Sequence, residues 1–192
     1  MNFDIRPVRA LGALLFVNLC LGGAALANDQ DLTATTVPAS ACAPLNASQA
    51  NRVRLSNGAW VFNGSSTGSV TFFCPLPRNN RTLSSATNDN NASRFRVFYR
   101  DTDGTANAAN VVARLTYRTS GGFTMVPGVF NSNGSVSTGN TTGLRTINHN
   151  FVSSSLYAFM VTLRRVDATQ DPSFNGIDFP GGLIILPPVL TN

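Results

Sequence analysis

Gly64-Ser65-Ser66-Thr67-Gly68 matches the G-x-S-x-G pattern of a hydrolase nucleophile elbow, and Asp101 or Asp103 and then His149 follow in α/β-hydrolase order. Such an elbow needs a strand, a strained turn and then a helix, so that the serine oxygen stands clear of the sheet. Here Ser69–Cys74 continues the chain as strand, which makes a match by chance the simpler account of Ser66. Paired-carboxylate chemistry fares no better, because the chain contains no Glu and its Asp residues fall in turns. His149 is the only histidine, with no second His and no cysteine placed to share a metal. No catalytic set, metal centre or cofactor is therefore expected.

Two groupings remain. Asp101-Thr102-Asp103-Gly104, with Asn107, has the opening of a calcium loop, but Val112 stands where the full pattern places its bidentate acid. The plain reading is a turn; the sharper one is a weak calcium site completed from a neighbouring loop. The second grouping is made of arginines. Phe95, Val97 and Tyr99 alternate with Arg94, Arg96, Phe98 and Arg100, and Val111, Ala113, Leu115 and Tyr117 alternate with Arg114 and Arg118. If these segments pair as a hairpin across the acidic turn, inward residues must oppose inward ones, and Tyr99 falls opposite Ala113. That register collects Arg94, Arg96, Phe98, Arg100, Arg114 and Arg118 on one outer face. Guanidinium groups grip carboxylate and sulfate bidentately, and Phe98 offers a stacking surface for a sugar. The face predicts binding of acidic polysaccharide; its bland counterpart is a solvated surface in a protein that uses Arg for every cation.

The elements that must position these residues are strands. The chain has no Lys and no Glu and is rich in Asn, Ser, Thr and Gly, residues that favour turns and strands over helix. Asn57-Gly58 between Arg52–Ser56 and Ala59–Asn63 is a strong hairpin signal, pairing Leu55 with Trp60 and Val53 with Phe62. Further strands are expected at Ser69–Cys74, Phe123–Phe130, Leu144–Phe151, Leu156–Val166, Ile177–Phe179 and Leu183–Leu186, with polar loops at 78–93 and 131–143. Leu156–Leu163 is apolar on both faces, which predicts a central, covered position. The fold class is all-β: a single antiparallel β-sandwich of about nine short strands, with a jelly roll as one variant.

Residues 1–27 read as a signal peptide. Arg6 and Arg9 precede a short apolar run, and Ala25-Leu26-Ala27 supplies the small residues before cleavage at Asn28. The run falls short of the ~20 residues that span a bilayer, so no membrane span is expected after cleavage. Residues 28–41 read as a loose N-terminal segment and 42–192 as the sandwich. Without Arg6, Arg9 and Asp4 the mature chain carries twelve Arg against eight Asp, a mild excess that gives no reason to expect nucleic acid. Its two cysteines, Cys42 and Cys74, should pair in a secreted or periplasmic setting.

Cys42, the Asn57-Gly58 hairpin, Cys74-Pro75-Leu76 and a strand ending Tyr99-Arg100-Asp101 resemble small exported bacterial β-sandwich proteins of unknown function, over roughly residues 42–117. Such proteins often carry another cysteine after the acidic turn, where this chain has Ala113. The resemblance implies fold and export, and no activity. Three functions are compatible with these residues: a non-enzymatic binding module for a surface or matrix component, here an anionic glycan; a pilin-like or coat subunit, although Leu190-Thr191-Asn192 lacks an aromatic C-terminal signature; and a hydrolase using Ser66 and His149.

Overall fold

A computed structural model describes residues 36–76, 91–151 and 155–179. The expected signal peptide, most of the 78–93 loop and the strand expected at Leu183–Leu186 lie outside them. Eleven strands occur among the described residues: β1 Thr36–Pro38, β2 Ala43–Pro44, β3 Val53–Ser56, β4 Ala59–Phe62, β5 Gly68–Pro75, β6 Asn91–Arg100, β7 Ala109–Thr119, β8 Gly122–Asn131, β9 Asn140–Asn150, β10 Leu156–Arg165 and β11 Ser173–Asp178. Besides single turns of 3₁₀ helix, the described helix is one four-residue turn, Ala47–Ala50, capped by Asn46.

The strands form two antiparallel sheets. The first runs β3-β4-β11-β6-β9, with β1 also paired to β11; the second runs β2-β5-β10-β7-β8. Their inner faces meet in an aromatic core. Phe95 of β6 packs on Phe159 of β10 with ring centroids 5.1 Å apart, Tyr99 on Phe130 of β8 at 5.1 Å, and Trp60 of β4 on Phe72 of β5 at 5.1 Å. Rings facing across a gap of about 10 Å are how a sandwich of this size fills its interior. Gly143 of β9 makes room for Phe130: a Cβ there would come within 2.2 Å of the ring.

Local patterning survives intact. Val53 opposes Phe62 and Leu55 opposes Trp60, with Asn57 and Gly58 both at positive φ (49° and 80°), as a two-residue hairpin turn of this hand requires. The pairing predicts Trp60 buried against Leu55, yet Leu55 is exposed and Trp60 only half-buried: its ring lies on Phe72 and its Nε1 donates to the Ala39 carbonyl at 2.8 Å. β10 is central, flanked by β5 and β7, but not covered on both faces throughout: Ala158, Phe159, Val161, Leu163 and Arg165 are buried, while Leu156 and Arg164 are exposed.

Pairing between distant elements departs from expectation. β6 and β7 do not pair with each other: β6 lies between β11 and β9 in the first sheet, and β7 between β10 and β8 in the second. The residues between them, 101–108, form a corner from one sheet to the other instead of a hairpin turn. Tyr99 faces the core across from β7's sheet, and the register that set it opposite Ala113 does not exist. The N-terminal segment is also tighter than expected. β1 pairs with β11, and Val37 and Ala39 are fully buried, so the loose stretch expected to reach residue 41 does not include 36–41. The Cys42–Cys74 disulfide is formed, with Cα atoms 4.1 Å apart, and ties this segment to β5.

Candidate functional site

Alternation puts Arg94, Arg96, Phe98 and Arg100 outside the first sheet and Arg114 and Arg118 outside the second. The two sets therefore lie on opposite faces of the sandwich, and the single arginine face expected from the sequence is split in two. Opposed like charges would have repelled across a hairpin; the split removes that cost. On the first sheet Arg96 already has a partner. Asp178 of β11 sits directly opposite it and takes Nε at 3.0 Å and Nη2 at 2.5 Å, while the guanidinium lies 5.0 Å from the Phe98 ring. The bidentate bond to Asp178 pushes the Arg96 pKa up, tightening its hold on the proton. This partner is 82 residues away in sequence, so only the β6–β11 pairing reveals it.

The second sheet's outer face has a different character. Three rows of neighbours cross it: Phe73, Met160, Arg114 and Val129; then Pro75, Ala158, Thr116 and Met125; then Leu156, Arg118 and Phe123. The large apolar side chains exposed among the described residues number ten, and Phe73, Phe123, Met125, Val129 and Leu156 place five of them here. Single exposed apolar residues are ordinary, whereas here five share one sheet face. Arg114 and Arg118 stand among them four residues apart, about 13 Å along β7 at ~3.3 Å per residue. Arg114 reaches over Met125, with Nη1 2.9 Å from its sulfur. Phe73, Phe123 and Met125 were not singled out in the sequence, because each is an unremarkable member of an alternating strand until the sheet order sets them side by side.

Ser66 and His149 are at opposite ends of the molecule. Gly68, just after Ser66, pairs with Arg165 at the end of β10, whereas His149 Nε2 lies 2.9 Å from the Tyr157 hydroxyl at its beginning. Eight residues of strand separate those points, about 26 Å at ~3.3 Å per residue. General-base catalysis needs hydrogen-bond reach, so these two residues form no nucleophile–base pair.

His149 belongs instead to an aromatic cluster, 5.2 Å from Tyr117, 5.4 Å from Tyr157 and 5.5 Å from Phe151 between ring centroids. Burial among these rings holds the imidazole below its ordinary value of 6.5. The unfolded chain thus takes up a proton first as pH falls, and His149 contributes a loss of stability on going below about pH 6.5. Asp101, whose carboxyl is pushed up to about 6, acts oppositely: its contribution is present at low pH and lost as pH rises through 6. A comparison isolates the histidine. In urea melts between pH 5 and 8, wild type should lose stability relative to His149→Gln as the pH drops below 6.5; a pH-independent difference would contradict the desolvated imidazole.

The acidic turn is built into the end of the sandwich near Ser66. Asp101 is fully buried and accepts a short hydrogen bond from Ser132 Oγ, and Asp103 Oδ2 accepts from the backbone N–H of Ala108 at 2.6 Å and Ala109 at 2.9 Å. Burial raises the Asp101 carboxyl, and the adjacent Asp103 carboxylate adds to that. Burial also acts upward on Asp103, but hydrogen bonds from Asp101 and from the two amides hold it below the usual range. Among the described residues no group of three His, Cys, Asp or Glu comes together as a metal site, and no helix is long and apolar enough to cross a membrane.

No protein-family model matches the chain, and no curated protein does. Solved structures of similar outline exist. The chain is similar to the Emp46p carbohydrate recognition domain in its potassium-bound form (8% identity, TM-score 0.42, 75% of this chain and 95% of that one). It is similar also to a mutant of a family 29 carbohydrate-binding module (10% identity, TM-score 0.37, 83% of this chain and 97% of that one). A family two carbohydrate esterase from Cellvibrio japonicus is matched at 9% identity and TM-score 0.39 over 77% of this chain, which spans only 33% of the esterase. Likenesses this distant say nothing of what this chain binds.

Proposed function

We propose that this protein is an exported, non-enzymatic binding module that takes an acidic polysaccharide on the outer face of its second sheet. The observation that carries the reading is the cluster there of exposed Phe73, Phe123, Met125, Val129 and Leu156 around Arg114 and Arg118. A sugar ring has an apolar C–H face that suits flat apolar ground, and a carboxylate or sulfate on it suits a guanidinium fork. Of the arginines expected to bind, Arg114 and Arg118 keep the role; Arg96 is engaged by Asp178, and Arg94 and Arg100 stand beside it on the opposite face. The buried disulfide supports an oxidising compartment, secreted or periplasmic.

The test compares wild type, Arg114→Ser with Arg118→Ser, Phe123→Ser with Met125→Ser, and Arg94→Ser with Arg100→Ser on immobilised acidic and neutral polysaccharides. The arginine variant should lose binding about tenfold or more, since a charge-assisted bond contributes roughly 1.5–3 kcal/mol. The Phe123 and Met125 variant should lose a similar amount through the apolar contact it removes, at about 25 cal/mol per Å². The last should bind as wild type does. Binding should weaken as salt rises above ~0.1 M, where the screening length is about 10 Å. Equal binding by all four proteins, or none by any, would remove this face from the account.

A further inference from the structure

Both methionines that follow Met1 in this chain stand beside one arginine. Met160 of β10 is directly opposite Arg114 of β7, and Met125 of β8 is opposite Thr116, one outward position further along β7. Arg114 leans towards Met125, its Nη1 donating to the sulfur at 2.9 Å. That is an unequal match, because a thioether is a weak acceptor and a guanidinium fork suits charged oxygens. The ion pairs among the described residues are Arg96–Asp178 and Arg165–Asp171, so Arg114 has no carboxylate partner among them. A strong donor thus rests on a poor acceptor, and a better acceptor formed at the same spot will take it.

Met125 can become that acceptor itself. It is 48% exposed, so a small oxidant reaches its sulfur, whereas Met160 is half-buried on the central strand of the sheet. With a hydroperoxide the change is a two-electron oxygen transfer. A sulfur lone pair attacks one peroxide oxygen, the S–O bond forms as the O–O bond breaks, and hydrogen peroxide leaves as water. The thioether becomes a sulfoxide, which is polar and is returned to the thioether by methionine sulfoxide reductases. The new oxygen accepts hydrogen bonds far better than the sulfur did, and it forms beside a guanidinium already in contact. The resulting bond is charge-assisted and needs no movement of either strand.

We infer that Met125 is an oxidation site whose sulfoxide captures Arg114. The consequence for binding rests on the reading of this face as a glycan surface. There the added oxygen occupies an arginine that an acidic sugar would use, and it places a polar group between exposed Phe123 and Val129. Oxidation therefore turns binding down, and reduction restores it.

The experiment treats the purified chain with hydrogen peroxide and makes three measurements. Peptide mass spectrometry should find Met125 oxidised several-fold faster than Met160, since susceptibility follows exposure. NMR of the arginine Nε–H groups at mildly acidic pH should show the Arg114 signal move on oxidation of wild type and of Met160→Leu, and stay in place in Met125→Leu. On immobilised acidic polysaccharide, oxidised wild type should bind about tenfold more weakly than its own untreated form, the loss of one charge-assisted bond. Sulfoxide reductase should reverse that fall. Met125→Leu, compared with its own untreated form, should not respond to the peroxide dose that oxidises Met125. Equal oxidation of the two methionines, or an Arg114 signal unmoved by the sulfoxide, would overturn the inference. Undiminished binding by oxidised wild type would overturn it as well. A wild type that binds no glycan before oxidation would sink the glycan reading and the binding switch together, while the first two measurements decide the capture of Arg114 on their own.

Discussion

Cys42→Ala combined with Cys74→Ala should lower the folding free energy by about 3–4 kcal/mol, the largest loss expected from changing so few atoms. The bond closes a span of 32 residues, and chain entropy values such a loop at roughly 3.7 kcal/mol. Its place in the fold makes the consequence more than a number. Cys74 lies on the buried face of β5 in the second sheet, and Cys42 follows the segment whose β1 pairs with β11 in the first. The disulfide therefore fastens the N-terminal strap across both sheets. Trp60 reports on that strap locally, because its Nε1 donates to the carbonyls of Ala39 at 2.8 Å and Cys42 at 3.3 Å. Urea melts should show the drop in midpoint, and tryptophan emission of the still-folded variant should shift to the red. Two reactive thiols in the unfolded, unreduced mature protein would contradict the bond, and an unchanged midpoint in the variant would contradict its energetic role.

Arg165→Ala should cost about 3–5 kcal/mol. Arg165 is only 2% exposed and heads the fully buried side chains by volume, an unusual station for an arginine. Its Nη2 donates to the carbonyls of Gly64 at 2.9 Å and Ala168 at 2.8 Å, and its guanidinium lies 5.5 Å from the Phe62 ring. One cation thus ties the β4–β5 turn and the β10–β11 loop to the end of β10. Asp171 contributes little, being 3.4 Å away and largely exposed. Truncation leaves a cavity and two carbonyls without donors, each costing about 1–3 kcal/mol if water cannot reach them. Arg165→Met separates the two causes: it refills the volume over Phe62 and restores no hydrogen bond. It should recover part of the loss and remain at least ~1.5 kcal/mol below wild type in urea melts. Full stability of Arg165→Met would mean that the carbonyl bonds contribute nothing.

The sequence by itself determined several features that depend on near neighbours along the chain. Period-2 alternation in Phe95, Val97 and Tyr99, and in Val111, Ala113 and Leu115, stated correctly which side chains are buried. Asn57-Gly58 set its hairpin to the residue, because a two-residue turn at positive φ leaves only one register. An all-β antiparallel sandwich and a single Cys42–Cys74 bond followed from composition and count.

Pairing partners were a different matter. Alternation says that a strand has an inside and an outside, and the same pattern suits a hairpin neighbour and a strand facing it across the core. Only the tertiary structure decided that residues 101–108 turn a corner between sheets, which sent Arg114 and Arg118 to one face and Arg94, Arg96 and Arg100 to the other. The same step brought Asp178 to Arg96, Phe73 and Phe123 to one surface, and Ser132 to the acidic turn. These are contacts between segments up to about a hundred residues apart, made by sheet order. Sheet order is the joint outcome of burying every apolar face at once, a property of the whole chain that no window of it contains.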